Sequence, residues 1–391
     1  MIRTSRRRIP INFSTTKHSN TTTKLKDTNA MSEIPRETAE TPFIQQSDFE
    51  KVTQIVSAGF QVEEALLEHN VPTYYLHQPQ ETKQAFLKLL KNLESMNLVA
   101  FLRRVNGRLV LKIVPKPSMK PSNILVNWIL FFATVATTFV TGYLISPEVI
   151  NPFIGGATFT IAMLAVLGTH EMGHKITANK EGIEATLPYF IPGPPPYGTF
   201  GAVIMQKSLP PNRDALFDVG ANGPIVGFIV GVAAAIIGLP LSIYDWVPKG
   251  TPTLPVPLLL RLIEPFISPP LETVPPPPGP GYIPVIVLHP VAVAGWVGLV
   301  VTMLNLLPAA MLDGGHVTRS VAGEKLRFGL TFLSILYLFI EGFYPMAILV
   351  LFMSMYKHPG PLDDVSNLST SRKLLVVVLM VIFVLCFFPA F

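Results

Sequence analysis

Apolar residues gather in long blocks along this chain. Residues 124–145 form a run of 22, and residues 219–244 a run of 26, without one charged side chain. Crossing the hydrocarbon of a bilayer takes roughly 20 such residues, a length that buried helices of soluble domains rarely keep. The pattern predicts membrane spans at 123–145, 154–177, 215–244, 283–309, 327–341, 343–356 and 373–390. The fifth and sixth are short. A single helix through both is the alternative, but Glu341-Gly342 and Pro345 interrupt the run, so a tight hairpin is expected.

Upstream of residue 117 the pattern changes. Phe49, Val52, Ile55 and Val56 recur at helical spacing behind Ser47, a potential cap. Residues 71–76 are rich in β-formers, and 80–96 carry Phe86, Leu87, Leu90 and Leu93 on one side of a helix. Residues 98–105 and 108–114 flank Asn106-Gly107, a strong hairpin signal. His69 and His77 have nothing at ligand spacing beside them and read as surface or packing residues. Ahead of this lies a basic, polar stretch. Residues 1–30 hold seven Lys or Arg, ten Ser or Thr and one acid, without an apolar signal core. That composition suits a disordered tail, with a transit peptide or a start at Met31 as the alternatives. The expected organisation is a disordered segment over 1–45, a soluble α+β domain over 46–116 and a membrane domain over 117–391. The fold class is then an all-α polytopic membrane protein of six to seven transmembrane helices with a small soluble α+β N-terminal domain.

Composition strengthens the membrane reading. Charged residues make up only 14% of the chain against 49% hydrophobic, whereas soluble domains average about 25% charged. The single Cys386 excludes an intrachain disulfide. No zinc-finger spacing, RNP-like aromatic pattern or phosphate loop is present, so neither nucleic acid nor a small-molecule cofactor is expected. Lysines and arginines cluster at 112–120, 175–213, 319–327 and 357–373. If 327–356 is a hairpin, all four clusters fall on one face, which the positive-inside rule assigns to the cytosol. The Pro-rich stretch 251–284 then falls outside, with extended polyproline II as its expected form.

The candidate chemistry sits in the second span, within LGTHEMGHKITANKEG. His170 and His174 are four residues apart, on one helical face, where two imidazoles can share a metal. Glu171 is placed to take a proton from water beside that metal. With eight histidines in the chain, HExxH arises by chance at about the 1% level. Two His and a Glu in an apolar helix are also costly in lipid and mark function. A catalytic zinc takes three protein ligands, and the candidate for the third is Asp313, in NLLPAAMLDGGH. A helix from 283 to 313 would be about 45 Å long, too long for the bilayer core. It should end or bend near Pro308 and leave Asp313-Gly314-Gly315 in irregular backbone beside a protein-lined or wet cavity. His170 lies roughly 24 Å from the outer end of its span, so both halves of the site can meet near the cytosolic face. His289, at the other end of the fourth span, reads as an interfacial residue; His316 reads as hydrogen-bonded near the site rather than as a ligand.

HEMGH in the second span, with Asn305-x-x-Pro308-x-x-x-Leu312-Asp313-Gly314 in the fourth, resembles the site-2 protease family of intramembrane zinc metallopeptidases, peptidase family M50. The resemblance covers roughly residues 117–358, and the pattern is closest to archaeal members and their plant plastid relatives. It implies one zinc ion per chain on His170, His174 and Asp313, Glu171 as general base, and Asn305 holding substrate backbone or oxyanion. The implied function is hydrolysis of peptide bonds within or next to the transmembrane segments of protein substrates in the lipid bilayer. It further implies a multi-pass protein (of the cell membrane, if prokaryotic) with the N-terminal domain and the opening of the site in the cytosol. Gly220-Ala221-Asn222-Gly223-Pro224 is similar to a Gly-Pro segment of the family, although the 223/227/231 glycine face reads first as close helix packing. Residues 197–204 match a region that forms a membrane-embedded strand in the family; a plain Pro-rich loop is the other reading. Neither a PDZ-sized insertion nor paired CBS domains are evident. Two other functions fit parts of the pattern: a protease of lipidated C-terminal peptides, which needs a glutamate ligand not found here, and an inactive scaffold or transporter-like homologue.

Overall fold

The structure, a computed structural model, describes residues 46–117, 122–270 and 276–388. The expected tail over 1–45 lies outside the described residues. The chain divides into two compact units, Met1–Pro117 and Ser118–Phe391.

In the first unit, helix α1 (Gln46–Ser57) is followed by strands β1 (Val62–Glu68) and β2 (Val71–Leu76), helix α2 (Lys83–Glu94), and strands β3 (Leu98–Val105) and β4 (Arg108–Pro115). The strands form one antiparallel sheet in the order β1-β2-β4-β3. Asn106 and Gly107 have φ of 50° and 82°, the left-handed pair that a two-residue hairpin needs. Strand β1 was not anticipated, because VEEALLE is built from helix formers. Its partner explains it. Glu68 pairs with Val71 across His69 and Asn70, both at positive φ, so a second tight hairpin overrides local propensity. Val52, Val56, Phe86 and Leu93 are buried, as are Tyr74, Leu102, Leu111 and Ile113 of the sheet.

The second unit is mostly helical. Helices α3 (Ile124–Leu144) and α4 (Pro152–Lys180) precede strands β5 (Tyr189–Pro192) and β6 (Thr199–Val203); helix α5 (Arg213–Gly238) follows. Strand β7 (Ile243–Pro248), helix α6 (Leu258–Ile267) and strand β8 (Tyr282–Val287) lead to helix α7 (Pro290–Leu306). Helices α8 (Asp313–Ile340), α9 (Tyr344–Ser354) and α10 (Thr370–Cys386) complete it. Among the described residues three helices, α3, α4 and α5, are long and apolar enough to cross a membrane. All three open on an asparagine whose side chain accepts an early backbone N–H: Asn123, Asn151 and Asn212. Helix α5 is central and packs against α4, α7 and α8. The outer faces are apolar: Trp128, Phe132, Ile161 and Ile229 are exposed, far more apolar surface than a soluble monomer carries.

Several expected boundaries shift. The third apolar run ends its helix at Gly238, and Ile243 and Tyr244 enter β7. The fourth run is helical only from Pro290; residues 282–287, rich in β-branched side chains, pair with β7. The Pro-rich stretch contains the helix α6, whose Leu260 is buried, so its apolar LLLRLI segment outweighs the flanking prolines. The expected hairpin over 327–356 forms, with Gly342 at φ 79° between α8 and α9. Residues 197–204 include β6, antiparallel to β5, rather than a plain loop.

Candidate metal centre

His170 and His174 lie one turn apart on α4, both buried, with their Nε2 atoms 3.1 Å from each other. Asp313 comes from the start of α8, and its Oδ2 stands 3.3 Å from each of those nitrogens. Among the described residues these three side chains are a group that could hold a metal ion, with ligand atoms all within 4.8 Å of one another. The spacing fits the purpose. Four tetrahedral ligands at about 2.0–2.1 Å from a zinc-sized ion stand about 3.3 Å apart. Two imidazole nitrogens and a carboxylate oxygen are also a donor set that zinc takes.

The donors are held from behind. The His174 Nδ1–H donates to the carbonyl of Val219 at 2.7 Å, which fixes the tautomer and leaves Nε2 free as a ligand atom. Glycines on α5 leave room for both rings. A Cβ on Gly223 would stand 2.1 Å from His174 Nε2, and one on Gly227 would stand 2.7 Å from His170 Nδ1. The glycine face is therefore close packing, as its spacing predicts, but its first two members pack against imidazoles. Only Gly231 meets plain backbone, at 3.5 Å from Gly298.

Asp313 arrives by a different route. Helix α7 stops at Leu306, residues 307–312 run irregularly with Ala310 at φ 43°, and Asp313 opens the next helix. The break falls near Pro308, as expected, although α7 begins only at Pro290, so a helix continued to Asp313 would be about 36 Å long rather than about 45 Å. Asp313-Gly314-Gly315 is not the irregular part; it is the first turn of α8. Its glycines are needed there because a Cβ on Gly314 would stand 2.2 Å from the Leu306 carbonyl and one on Gly315 2.5 Å from that of Ala309. A carboxylate in the first turn of a helix also gains from the helix dipole.

Glu171 is buried beside the two histidines, and its carboxylate accepts the backbone N–H of Ile204, one residue past β6. Among the described residues β6 pairs only with β5, so its outer edge is open, with Phe200 and Val203 exposed. Asn305 reaches the same place from the last turn of α7, with Nδ2 3.5 Å from His170 Nε2. His289 is distant from this cluster and caps α7, its Nδ1 accepting the Val291 N–H at 3.2 Å.

Around the break stands a polar scaffold that spacing alone could not reveal. Arg327 is buried; its Nη1 donates to the Ala310 carbonyl at 2.8 Å, while its Nη2 and Nε bind Glu324 at 2.7 and 3.0 Å. The Thr331 hydroxyl accepts the Ala310 N–H at 3.0 Å. His316, one turn past Asp313, pairs through Nδ1 with Nε2 of His358 at 2.8 Å. His358 Nδ1 accepts the Gly360 N–H, so its proton sits on Nε2 and donates to His316. Asp364, in the same loop, binds Arg319 through two bonds of 2.6 and 3.0 Å and Arg213 at 3.3 Å.

Residues 158–331 match the sequence profile of Peptidase family M50, a stretch holding all five of these candidate residues. That match takes in a little under half of the chain. It is 30% identical over 257 residues to the probable zinc metalloprotease EGY1, chloroplastic, of Arabidopsis thaliana, a match covering 62% of this chain and 44% of that one. It is 32% identical over 188 residues to the probable zinc metalloprotease EGY2, chloroplastic, of the same plant, covering 48% and 32%. The chain thus spans less than half the length of these curated relatives. No solved structure matches.

Proposed function

We propose that this M50 chain is an intramembrane zinc metalloprotease that hydrolyses peptide bonds within or next to the transmembrane segments of protein substrates. The observation that carries the reading is the convergence of His170 and His174 from α4 with Asp313 from α8 at ligand spacing. Those three residues would hold one zinc ion. When bound, zinc supplies Lewis-acid polarisation and makes water acidic enough to serve as a nucleophile at neutral pH.

The remaining work belongs to the protein's own side chains. Glu171 takes the proton from the attacking water and passes it to the leaving amine. The Ile204 N–H orients that carboxylate. Asn305 presents its amide N–H to the substrate carbonyl as charge develops on it. A helical substrate hides its peptide groups, so it must unwind to be cut, and the open edge of β6 offers backbone partners to the exposed strand.

In this reading α3, α4, α5, α7, α8, α9 and α10 lie in the bilayer, giving the expected six to seven spans. Exposed Phe332, Leu336, Ile348, Phe352, Val377 and Val381 on the last three helices support that placement. The basic clusters support a cytosolic side for the first unit and for the opening of the site, at the cell membrane in a prokaryote. The test is Glu171→Gln in purified, reconstituted protein. Cleavage of a transmembrane substrate should fall by at least about a thousandfold while one zinc per chain remains bound. Retained cleavage would overturn the catalytic assignment, and absence of zinc from the unsubstituted protein would overturn the metal site.

A further inference from the structure

A second cleft lies away from the metal centre, where α8 begins its return across the unit and α9 ends. Its volume is about 540 Å3, and its lining includes Glu324, Lys325, Arg327, Phe328, Tyr356 and Lys357. The cleft exists because α8 is broken at Gly323, where φ is 79° and ψ −173°. The break turns the first arm of the helix aside, so Lys325 faces the end of α9 across a gap.

The charge of this cleft is unbalanced in one direction. Glu324, the acid in its lining, is already committed: one oxygen binds Arg327 at 2.7 Å, and the other takes Arg327 Nε at 3.0 Å and stands 3.3 Å from Arg319. Lys325 and Lys357 are exposed, and among the described residues neither has an acidic partner. The rim is apolar. Phe328 is 64% exposed and Tyr356 61%, and beyond them Phe332 on α8 and Phe352 on α9 continue outward-facing apolar surfaces along both helices. Two free ammonium groups at the mouth of an apolar furrow match one kind of molecule: an anion with hydrocarbon attached.

We propose that this cleft binds the headgroup of an anionic phospholipid, with Lys325 and Lys357 on the phosphate and the acyl chains along the outer faces of α8 and α9. A free anion would need no apolar rim, and a zwitterionic lipid would gain nothing from a net surplus of positive charge. The inference rests on the reading above that the α8–α9 hairpin lies in the bilayer. Arg327, part of the lining, also holds the Ala310 carbonyl in the break that precedes Asp313.

The experiment uses the full chain in nanodiscs of phosphatidylcholine containing a small fraction of phosphatidylglycerol, with retained lipid counted by native mass spectrometry after gentle detergent transfer. The unsubstituted protein should retain phosphatidylglycerol over phosphatidylcholine. The Lys325→Gln/Lys357→Gln double variant should lose that preference by roughly thirtyfold, while Lys325→Arg/Lys357→Arg keeps it. Equal retention in the Gln variant would overturn the proposal, as would displacement of the lipid by millimolar inorganic phosphate. Placement of the hairpin is read separately. With the sole cysteine removed by Cys386→Ala, a fluorophore on Phe352→Cys should be quenched by spin-labelled acyl chains. An unquenched probe would overturn the hairpin placement together with the lipid site; a quenched probe beside unchanged retention would overturn the lipid site alone.

Discussion

On α4, His170 and His174 need only the pitch of one helix to come together. On α8, Asp313 reaches the same point after a helix has stopped, six residues have run irregularly and a new helix has begun. The first half of the centre is therefore local and the second is tertiary. That difference extends to what supports each half. The imidazoles are seated by close approach of α5, through absent side chains at Gly223 and Gly227. The carboxylate is positioned by added polar groups: Arg327 and Thr331 on Ala310, and a loop carrying His358 and Asp364 on the flank of α8. A site built this way should fail abruptly when the α4 side is filled, and gradually when the α8 side loses one of its several ties.

The largest effect is expected from Gly223→Ala. The new methyl would occupy space 2.1 to 2.5 Å from three atoms of the His174 ring. The ring cannot rotate away without losing its bond to Val219. Zinc affinity should drop by at least about 100-fold and cleavage should vanish with it. Gly231→Ala, on the same face, is the internal control. Its Cβ would meet Gly298 at an ordinary 3.5 Å, so metal content and thermal stability should stay close to those of the unsubstituted protein. Metal analysis and thermal unfolding of both variants compare seat with packing directly. Equal tolerance at both positions would show that the imidazoles are not seated by α5.

What could be read in advance divides along the same line. HEMGH was legible because a period of 3.6 places its histidines without help from any other element. The break near Pro308 was legible from the proline, which ends or bends a helix; helix length overstated the case, because residues 283–289 are not helical. The exact first turn of α8 was not, because whether Asp313-Gly314-Gly315 is loop or helix depends on how closely the chain passes Leu306 and Ala309. The 223/227/231 stripe was visible as a packing surface, but what packs there is decided by the rotation of α4 against α5. In the first unit, Asn106-Gly107 announced its hairpin, whereas His69-Asn70 carries little turn signal and left β1 hidden behind helix-forming residues. Strands β7 and β8 were absorbed into long apolar runs, since hydropathy measures burial in lipid or protein and not backbone form.

A middle-sized effect is expected on the α8 side from Arg327→Met. The substitution keeps much of the apolar stem but leaves Glu324 with only the more distant Arg319 and the Ala310 carbonyl without its donor. Removing one member of a buried charged network costs about 3 kcal/mol. The Thr331 bond to the Ala310 N–H remains, so the break should loosen rather than collapse. Zinc affinity should fall by about tenfold, with cleavage detectable at saturating zinc. Complete loss of metal would mean that this one guanidinium, rather than the set of ties, holds Asp313 in place.

The smallest effect is expected from His358→Ala, and it separates positioning from general stability. His358 lies in the loop between α9 and α10, outside the matched family segment. Burial, with His316, Arg327 and Arg319 nearby, pushes its imidazole down to about 2, so it is neutral and its single proton serves His316. Loss of that bond leaves a half-buried acceptor on His316 and costs about 1–2 kcal/mol. Zinc affinity should weaken only a few-fold, because Arg319 and Arg213 still hold Asp364 and with it the loop. His358→Gln, whose amide N–H can replace Nε2–H, should recover much of the loss. The discriminating measurement is zinc dissociation compared with thermal midpoint across the two variants. If Ala lowers the midpoint without changing zinc dissociation, and Gln restores only the midpoint, the histidine pair supports the fold of α8 and contributes nothing to the placement of Asp313.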